Sequence, residues 1–231
     1  SRWGGIIVRA RVSELQRPGE VFVPMHWNDQ YASKARVGAV VNPAVDPVSG
    51  EPEFKHTPVS IQPYQPQWHG FLLSRRRLVM PGAAYWVVAK GDNVWRYEIA
   101  GDQPPDDWAA HARSLLCNKD DEVGWIEYFD KAQHQYRGAR LVGARLESCI
   151  FIGPGYTLPP RDWLAGLFGL NSLDSQQRTS LFTGAPGKGR PDAGRTVCAC
   201  FNVGENTMVA AIGKGALTSP ETFGHFGGSG T

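Results

Sequence analysis

The segment over residues 21–61, VFVPMHWNDQYASKARVGAVVNPAVDPVSGEPEFKHTPVSI, limits what this chain can fold into more than any other stretch. The apolar run Val21-Phe22-Val23 enters it, and the partly alternating run Thr57-Pro58-Val59-Ser60-Ile61 leaves it, so both ends read as strands. Between them the chain is rich in Gly, Pro, Asn and Asp. His26, Trp27, Asn28, Asp29 and Gln30 crowd its mouth. Connections of this length with no secondary structure of their own are uncommon in compact domains and are usually functional or disordered. Aromatic and β-branched residues run through this one, which favours function over disorder.

Two blocks of the segment carry a resemblance. Pro24-Met25-His26-Trp27-Asn28-Asp29 and Asp46-Pro47-Val48-Ser49-Gly50-Glu51-Pro52-Glu53-Phe54-Lys55-His56-Thr57-Pro58-Val59 resemble the C-terminal part of the bacterial assimilatory nitrate reductase large subunit. That family belongs with the molybdenum enzymes carrying a bis-molybdopterin guanine dinucleotide cofactor. The resemblance implies a cofactor contact at Lys55 and an asparagine contact upstream. Counting back from Asp46, the asparagine position falls on Gly38 here, with Asn42 close enough to substitute. The family residue near Met25 lies beside the substrate funnel, which makes Met25 and His26 the candidates for that position. The chemistry of the residues agrees, because a pyrophosphate and a guanine need backbone N–H donors, amide side chains and one or two cations. Asn28, Gln30, Lys55 and the Gly-containing turns supply these. Taken singly, His26 and Trp27 would only close the edge of a β-domain, and Lys55 would be a solvated charge. Taken as a block, His26, Trp27, Asn28, Gln30, Gly38, Asn42 and Lys55 outline a cofactor-binding loop.

Composition narrows the class. With 231 residues and a net charge of +2, the chain is sized for one or two domains. Hydrophobic residues make up 42%, enough for a core, yet no run approaches the roughly eighteen apolar residues of a membrane span. Near-neutral charge argues against a nucleic-acid surface, which usually shows as a basic patch. The start, Ser1-Arg2-Trp3-Gly4-Gly5, lacks an initiating Met and the charged-then-apolar pattern of a secretory signal. Four cysteines in that context read as reduced thiols or metal ligands, and a cytoplasmic location is expected.

Further along, residues 6–12 read as a strand, and Arg17-Pro18-Gly19-Glu20 as a turn into a second strand over 21–25. The family resemblance makes this hairpin part of a double-psi β-barrel whose earlier strands would precede Ser1. Residues 64–77 read as a linker ending in a solvated Arg75-Arg76-Arg77. Strands are expected over 84–89 and 94–99, joined by a Gly91-Asp92-Asn93 hairpin turn. Pro104-Pro105-Asp106-Asp107 starts a helix whose stripe is Trp108, Ala112, Leu115 and Leu116, with Cys117 packed at its end. Three more strands follow over 124–129, 136–142 and 145–152, Gly143 making the last turn, and Cys149 is a core thiol. Asp120, Asp121, Glu122, Glu127 and Asp130 read as solvated surface rather than acid–base catalysts. YRGARLVGARLESCIFIG resembles the β-module preceding the iron–sulfur domain of nitrite-reductase-type flavoproteins, where the module is structural. Helices over 160–169, closed by Gly169, and 172–182 precede a Gly/Pro-rich linker over 183–194.

Cys198-Ala199-Cys200-Phe201-Asn202-Val203-Gly204 resembles the cysteine pair opening the bacterioferritin-associated-ferredoxin-like [2Fe–2S] domain, with a helix from Gly204. Soft, readily deprotonated thiolates suit iron. A cluster usually takes four protein ligands, and the family's second Cys-x-x-Cys is absent, so the chain is expected to stop short of it. The expected fold is therefore α+β in three parts. Residues 1–64 are the C-terminal part of a molybdopterin dinucleotide-binding domain with part of its double-psi β-barrel. Residues 65–190 form a small mixed β/α module, and residues 191–231 a truncated, short helical [2Fe–2S]-type segment. The function implied by the resemblance is two-electron reduction of nitrate to nitrite. A [4Fe–4S] cluster and the molybdenum ligand would lie in an N-terminal part, and electrons would come from an NADH- or ferredoxin-linked donor protein or reductase subunit. No nucleic-acid or membrane partner is expected, nor catalysis by this region alone. Another molybdopterin oxidoreductase, such as formate dehydrogenase, and a non-enzymatic electron-transfer module are the alternatives; the Cys-x-Cys, as an entry port for electrons, favours nitrate.

Overall fold

The structure, a computed structural model, describes residues 1–25, 28–53, 56–80, 83–91, 93–117, 123–155, 158–185, 196–198 and 203–215. Aromatic and β-branched residues concentrate between Trp68 and Gly153, and the sheet forms there. Its strands are β1 (Trp68–Ser74), β2 (Tyr85–Lys90), β3 (Trp95–Gly101), β4 (Gly124–Asp130), β5 (Gln135–Val142) and β6 (Arg145–Gly153). They pair antiparallel in the order β2-β3-β1-β6-β5-β4. Strands β2 to β6 fall within two residues of where the sequence pattern puts them.

The exception is β1, and it corrects the sequence reading. Residues 64–77 are not a linker: they contain the strand at the middle of the sheet, buried along its whole length. It pairs with β3 on one side, Phe71 opposite Glu98, and with β6 on the other, Phe71 opposite Phe151. A strand covered on both faces needs no alternation, so the period that marks half-buried strands is missing from WHGFLLS.

Helices cover both faces. Helix α1 (Trp108–Leu116) lays Ala112, Leu115 and Leu116 on one face, against Leu72, Tyr97, Tyr136 and Ile150. On the other face α2 (Arg161–Leu167) and α3 (Ser175–Thr183) contribute Trp163, Leu164, Leu167 and Leu181 to a core with Phe71, Leu73, Cys149 and Phe151. The fold is α+β. Asp107 caps α1 by accepting from the Ala109 and Ala110 N–H groups at 2.8 and 3.0 Å, as its position predicts. Asp174 and Gln177 form a reciprocal capping box on α3, which starts three residues after the expected Ser172. The expected left-handed cap at Gly169 is not formed: α2 ends at Phe168 in right-handed geometry, and the left-handed cap is Gly184, which closes α3 at φ 65°. At the end of β3, Gly101 lies under the indole of Trp68, where any Cβ would collide with the ring.

Residues 1–64 differ from the expectation. The turn at Arg17–Glu20 is present, Gly19 at φ 80° and the Glu20 N–H on the Arg17 carbonyl at 3.2 Å. Among the described residues, however, 6–12, 21–25 and 57–61 form no strand, so neither the hairpin nor a share of a double-psi β-barrel is assembled here. A strand persists only when its backbone groups find a ladder partner, and among the described residues these runs show no ladder, the Ile7 N–H on the Lys34 carbonyl at 2.7 Å being a single bond; Val12 is 98% exposed and Phe22 78%. Near the other end, β7 (Thr196–Cys198) pairs with β8 (Val203–Gly204), and α4 (Glu205–Gly213) starts beside the expected Gly204. The expected linker lies mostly outside the described residues. Among those described, no helix is long and apolar enough to cross a membrane.

Candidate functional site

The mouth of the organising segment is a tight turn. Asn28 accepts the Gln30 N–H on its side-chain oxygen at 2.9 Å, and its carbonyl accepts from the Tyr31 and Ala32 N–H groups at 2.9 and 3.0 Å. This side-chain-for-backbone substitution is what Asn does best in turns. Met25, Asn28 and Gln30 are exposed, and Arg36 pairs with Asp29 at 3.3 Å. Val37–Ala39 make one 3-10 turn that places Gly38 at the surface, where a Cβ would meet nothing within 4 Å. Asn42 is engaged at both ends, its amide donating to Glu53 at 2.8 Å and its oxygen accepting from the Ala44 N–H at 3.1 Å.

The Asp46–Gly50 stretch is pre-shaped by its own side chains. Asp46 accepts from the Ser49 N–H at 2.7 Å, the Ser49 hydroxyl at 3.0 Å and the Val48 N–H at 3.0 Å. Those three bonds, the Ser49 backbone foremost, hold its carboxyl below the ordinary 3.8. Gly50 turns the chain at φ 72°, and the Asp46 N–H reaches the Glu51 carbonyl at 2.9 Å. His26, Trp27 and Lys55 lie outside the described residues, as does Cys200; Cys198 ends β7.

Two of the three arginines, Arg75 and Arg76, are half-buried and structural rather than solvated, while Arg77 is exposed as expected but also bonded. Arg75 donates to the Leu146 carbonyl at 2.8 Å and the Leu170 carbonyl at 3.2 Å, with its guanidinium 5.5 Å from the Phe168 ring. Arg76 donates to the Leu116 carbonyl at 3.1 Å. Arg77 donates to the Gln30 carbonyl, tying the sheet module to the turn at the mouth. A run of charge carries no sign of which carbonyls will lie within reach, so sequence alone missed all three. Glu127 likewise is more than solvated surface: the Trp125 indole donates to it at 2.7 Å and the Tyr136 hydroxyl at 3.2 Å, with Arg113 at 3.5 Å. The Trp125 bond is the main cause of its lowered pKa. Asp120, Asp121 and Glu122 lie outside the described residues. Cys149 is the core thiol expected, burial pushing it up to about 12, whereas Cys117 is half-buried at the end of α1 instead of packed in the core.

These exposed amides and self-braced turns fall where known proteins align. Residues 1–58 match the molydopterin dinucleotide binding domain family. Over 215 residues the chain is 29% identical to a nitrate reductase of Klebsiella oxytoca, a match covering 93% of this chain and 24% of that protein. A nitrate reductase of Synechocystis sp. (strain ATCC 27184 / PCC 6803 / Kazusa) is 35% identical over 63 residues, 27% of this chain and 9% of that protein. The chain thus spans about a quarter of the length of the first of these relatives. No solved structure matches. Among the described residues, no group of three or more His, Cys, Asp or Glu could hold a metal ion.

Proposed function

We propose that this chain is the C-terminal region of a molybdenum oxidoreductase that reduces nitrate to nitrite in assimilation, NO3− with two electrons and two protons giving NO2− and water. The observation that carries the reading is that the stretch matched to the dinucleotide binding domain contains the whole set of turns and exposed amides between Asn28 and Gly50. The donor chemistry fits such a group: neutral amides and open backbone suit a pyrophosphate and a guanine edge without burying a charge. In this reading the bound cofactor supplies the metal at which nitrate is reduced, and this chain holds and orients the nucleotide end. Gly38, with open space above it, serves as the upstream contact in preference to Asn42, whose amide is taken by Glu53. Asn28, Gln30, His26, Trp27 and Lys55 complete the wall, and Met25 with His26 borders the substrate path.

The proposed division is residues 1–64 for the dinucleotide-binding part, 65–190 for the mixed module and 191–231 for a [2Fe–2S]-type segment. Cys198 and Cys200 supply at most two of the four thiolates a cluster needs. Cys149, buried in the sheet core, cannot join them. A cytoplasmic location and an NADH- or ferredoxin-linked electron donor belong to the same proposal.

The test uses the protein as its gene encodes it. Molybdenum and guanine nucleotide should co-purify with it, and nitrate should be turned over with a small artificial electron donor. Lys55→Ala should lower molybdenum content or turnover by roughly tenfold through loss of a charge-assisted contact; normal values for both would remove Lys55 from the site. Cys198→Ser should remove visible thiolate-to-iron absorption while turnover with the artificial donor survives. An unchanged spectrum would make the pair ordinary thiols.

A further inference from the structure

The sheet module and the turn at the mouth of the organising segment are joined by one continuous set of contacts. Tyr31 to Ser33 add to the free edge of β2: the Ser33 N–H donates to the Trp86 carbonyl at 3.0 Å and the Val88 N–H to the Tyr31 carbonyl at 2.7 Å. Ala32 stands opposite Val87 in an antiparallel bridge and is fully buried. The Ser33 hydroxyl accepts from the Trp86 N–H at 3.0 Å, using a donor that an edge strand would otherwise leave to water. Over this patch the Arg77 guanidinium donates to the Gln30 carbonyl and lies 5.7 Å from the Tyr31 ring and 5.5 Å from the Trp95 ring, with the Lys90 ammonium 5.7 Å from Trp95. Cation and aromatic alternate, and the planar Arg77 guanidinium is suited to facing rings while donating a hydrogen bond from its edge.

We propose that Arg77, with the β2 edge, is a positioning residue that clamps the Asn28–Tyr31 turn in the shape needed to hold the nucleotide end of the cofactor. The proposal rests on the function proposed above and goes beyond it, because it gives the sheet module a role in cofactor retention. Among the described residues the turn is otherwise held by local bonds, Asn28 to Gln30, Tyr31 and Ala32, and by the exposed Arg36–Asp29 pair, which are weak alone. Binding through a loop that must first be ordered loses affinity in proportion to the time the loop spends disordered. A clamp on the far side of the turn removes that loss without touching the ligand.

The experiment compares wild type, Arg77→Lys and Arg77→Ala in the protein as its gene encodes it. Hydrogen exchange is followed over residues 28–33 and over β1, together with molybdenum content and the KM and kcat for nitrate. Arg77→Ala should speed exchange over 28–33 by roughly tenfold, the factor for losing one hydrogen bond from a charged donor, while β1 stays protected. Molybdenum content should fall in parallel, Arg77→Lys should restore only part of either, and kcat per bound molybdenum should be unchanged. Wild-type molybdenum content in Arg77→Ala despite faster exchange would overturn the coupling. Unchanged exchange would overturn the clamp itself. A loss of protection in β1 as well would make Arg77 a general stabiliser and also overturn it. A wild-type protein free of molybdenum would instead sink the proposed function, and with it the proposed role of the clamp, while the exchange over 28–33 would still report whether Arg77 holds the turn.

Discussion

Single residues in this chain act mostly by deciding where protons and donors go. Burial, and after it the nearby Arg9 charge, lowers the pKa of His69 from its ordinary 6.5, and burial does the same for His111 on α1. The unfolded chain therefore binds protons that the fold refuses, so the stability these groups contribute is complete above about pH 6.5 and is lost as the pH falls below it. Thermal midpoints should drop between about pH 7 and pH 5, and His69→Gln should flatten part of that slope; an equal slope in the variant would assign the acid sensitivity to other groups. Carboxylates such as Asp46 and Glu127, held ionised by their hydrogen bonds, act only at lower pH. Because their windows differ from that of His69, the pH profile can separate them.

At the scale of elements, the ends are better specified than the middles. Asp107, Asp174 and Gly184 mark helix ends through chemistry that needs only neighbours in sequence. Asp174→Ala removes one half of a reciprocal box, and should lower stability to urea by about 1 kcal/mol. An unchanged urea midpoint would show that packing of α3 through Leu181 outweighs its cap. The strands of the sheet behave differently. β4, β5 and β6 form a meander with short turns, so pairing one fixes the next, and their positions were readable from period and turn residues. β1 sits between β3 and β6, which follow it by long stretches of chain. Nothing local identifies its partners.

Across the whole molecule, order is unevenly distributed. Both cores are centred on the sheet, and in one of them Phe71 of β1 is fully buried, stacked on Phe151 at 5.1 Å with the Arg161 guanidinium 4.5 Å from its ring. Phe71→Ala should cost about 3–5 kcal/mol, measured by urea unfolding followed through tryptophan fluorescence. Exchange in residues 1–25 should stay as in wild type, because those residues take little part in either core. Coupled change in both regions would mean the chain unfolds as one cooperative unit. Leu15 and Val48, 97% and 95% accessible, are left uncovered in a segment where only Ala32, Ala35, Val40 and Val41 among the described residues are buried.

The sequence by itself determined what depends on nearby residues. It placed Gly-containing turns in the organising segment, the Arg17–Glu20 turn, the cap at Asp107 and the hairpin closed by the Gly91 N–H on the Val94 carbonyl. Tertiary structure alone decided which apolar runs became strands. IIVRARV over residues 6–12 has the better strand pattern and WHGFLLS the worse, yet only the second is a strand, because β3 and β6 lie on either side of it. The same holds for the candidate site. Its turns were legible, but the clamp upon them joins residues 47 and 53 positions apart, Arg77 to Gln30 and Trp86 to Ser33. Hydrogen bonds across such separations form only after the sheet has brought their partners together, and no local pattern encodes that meeting.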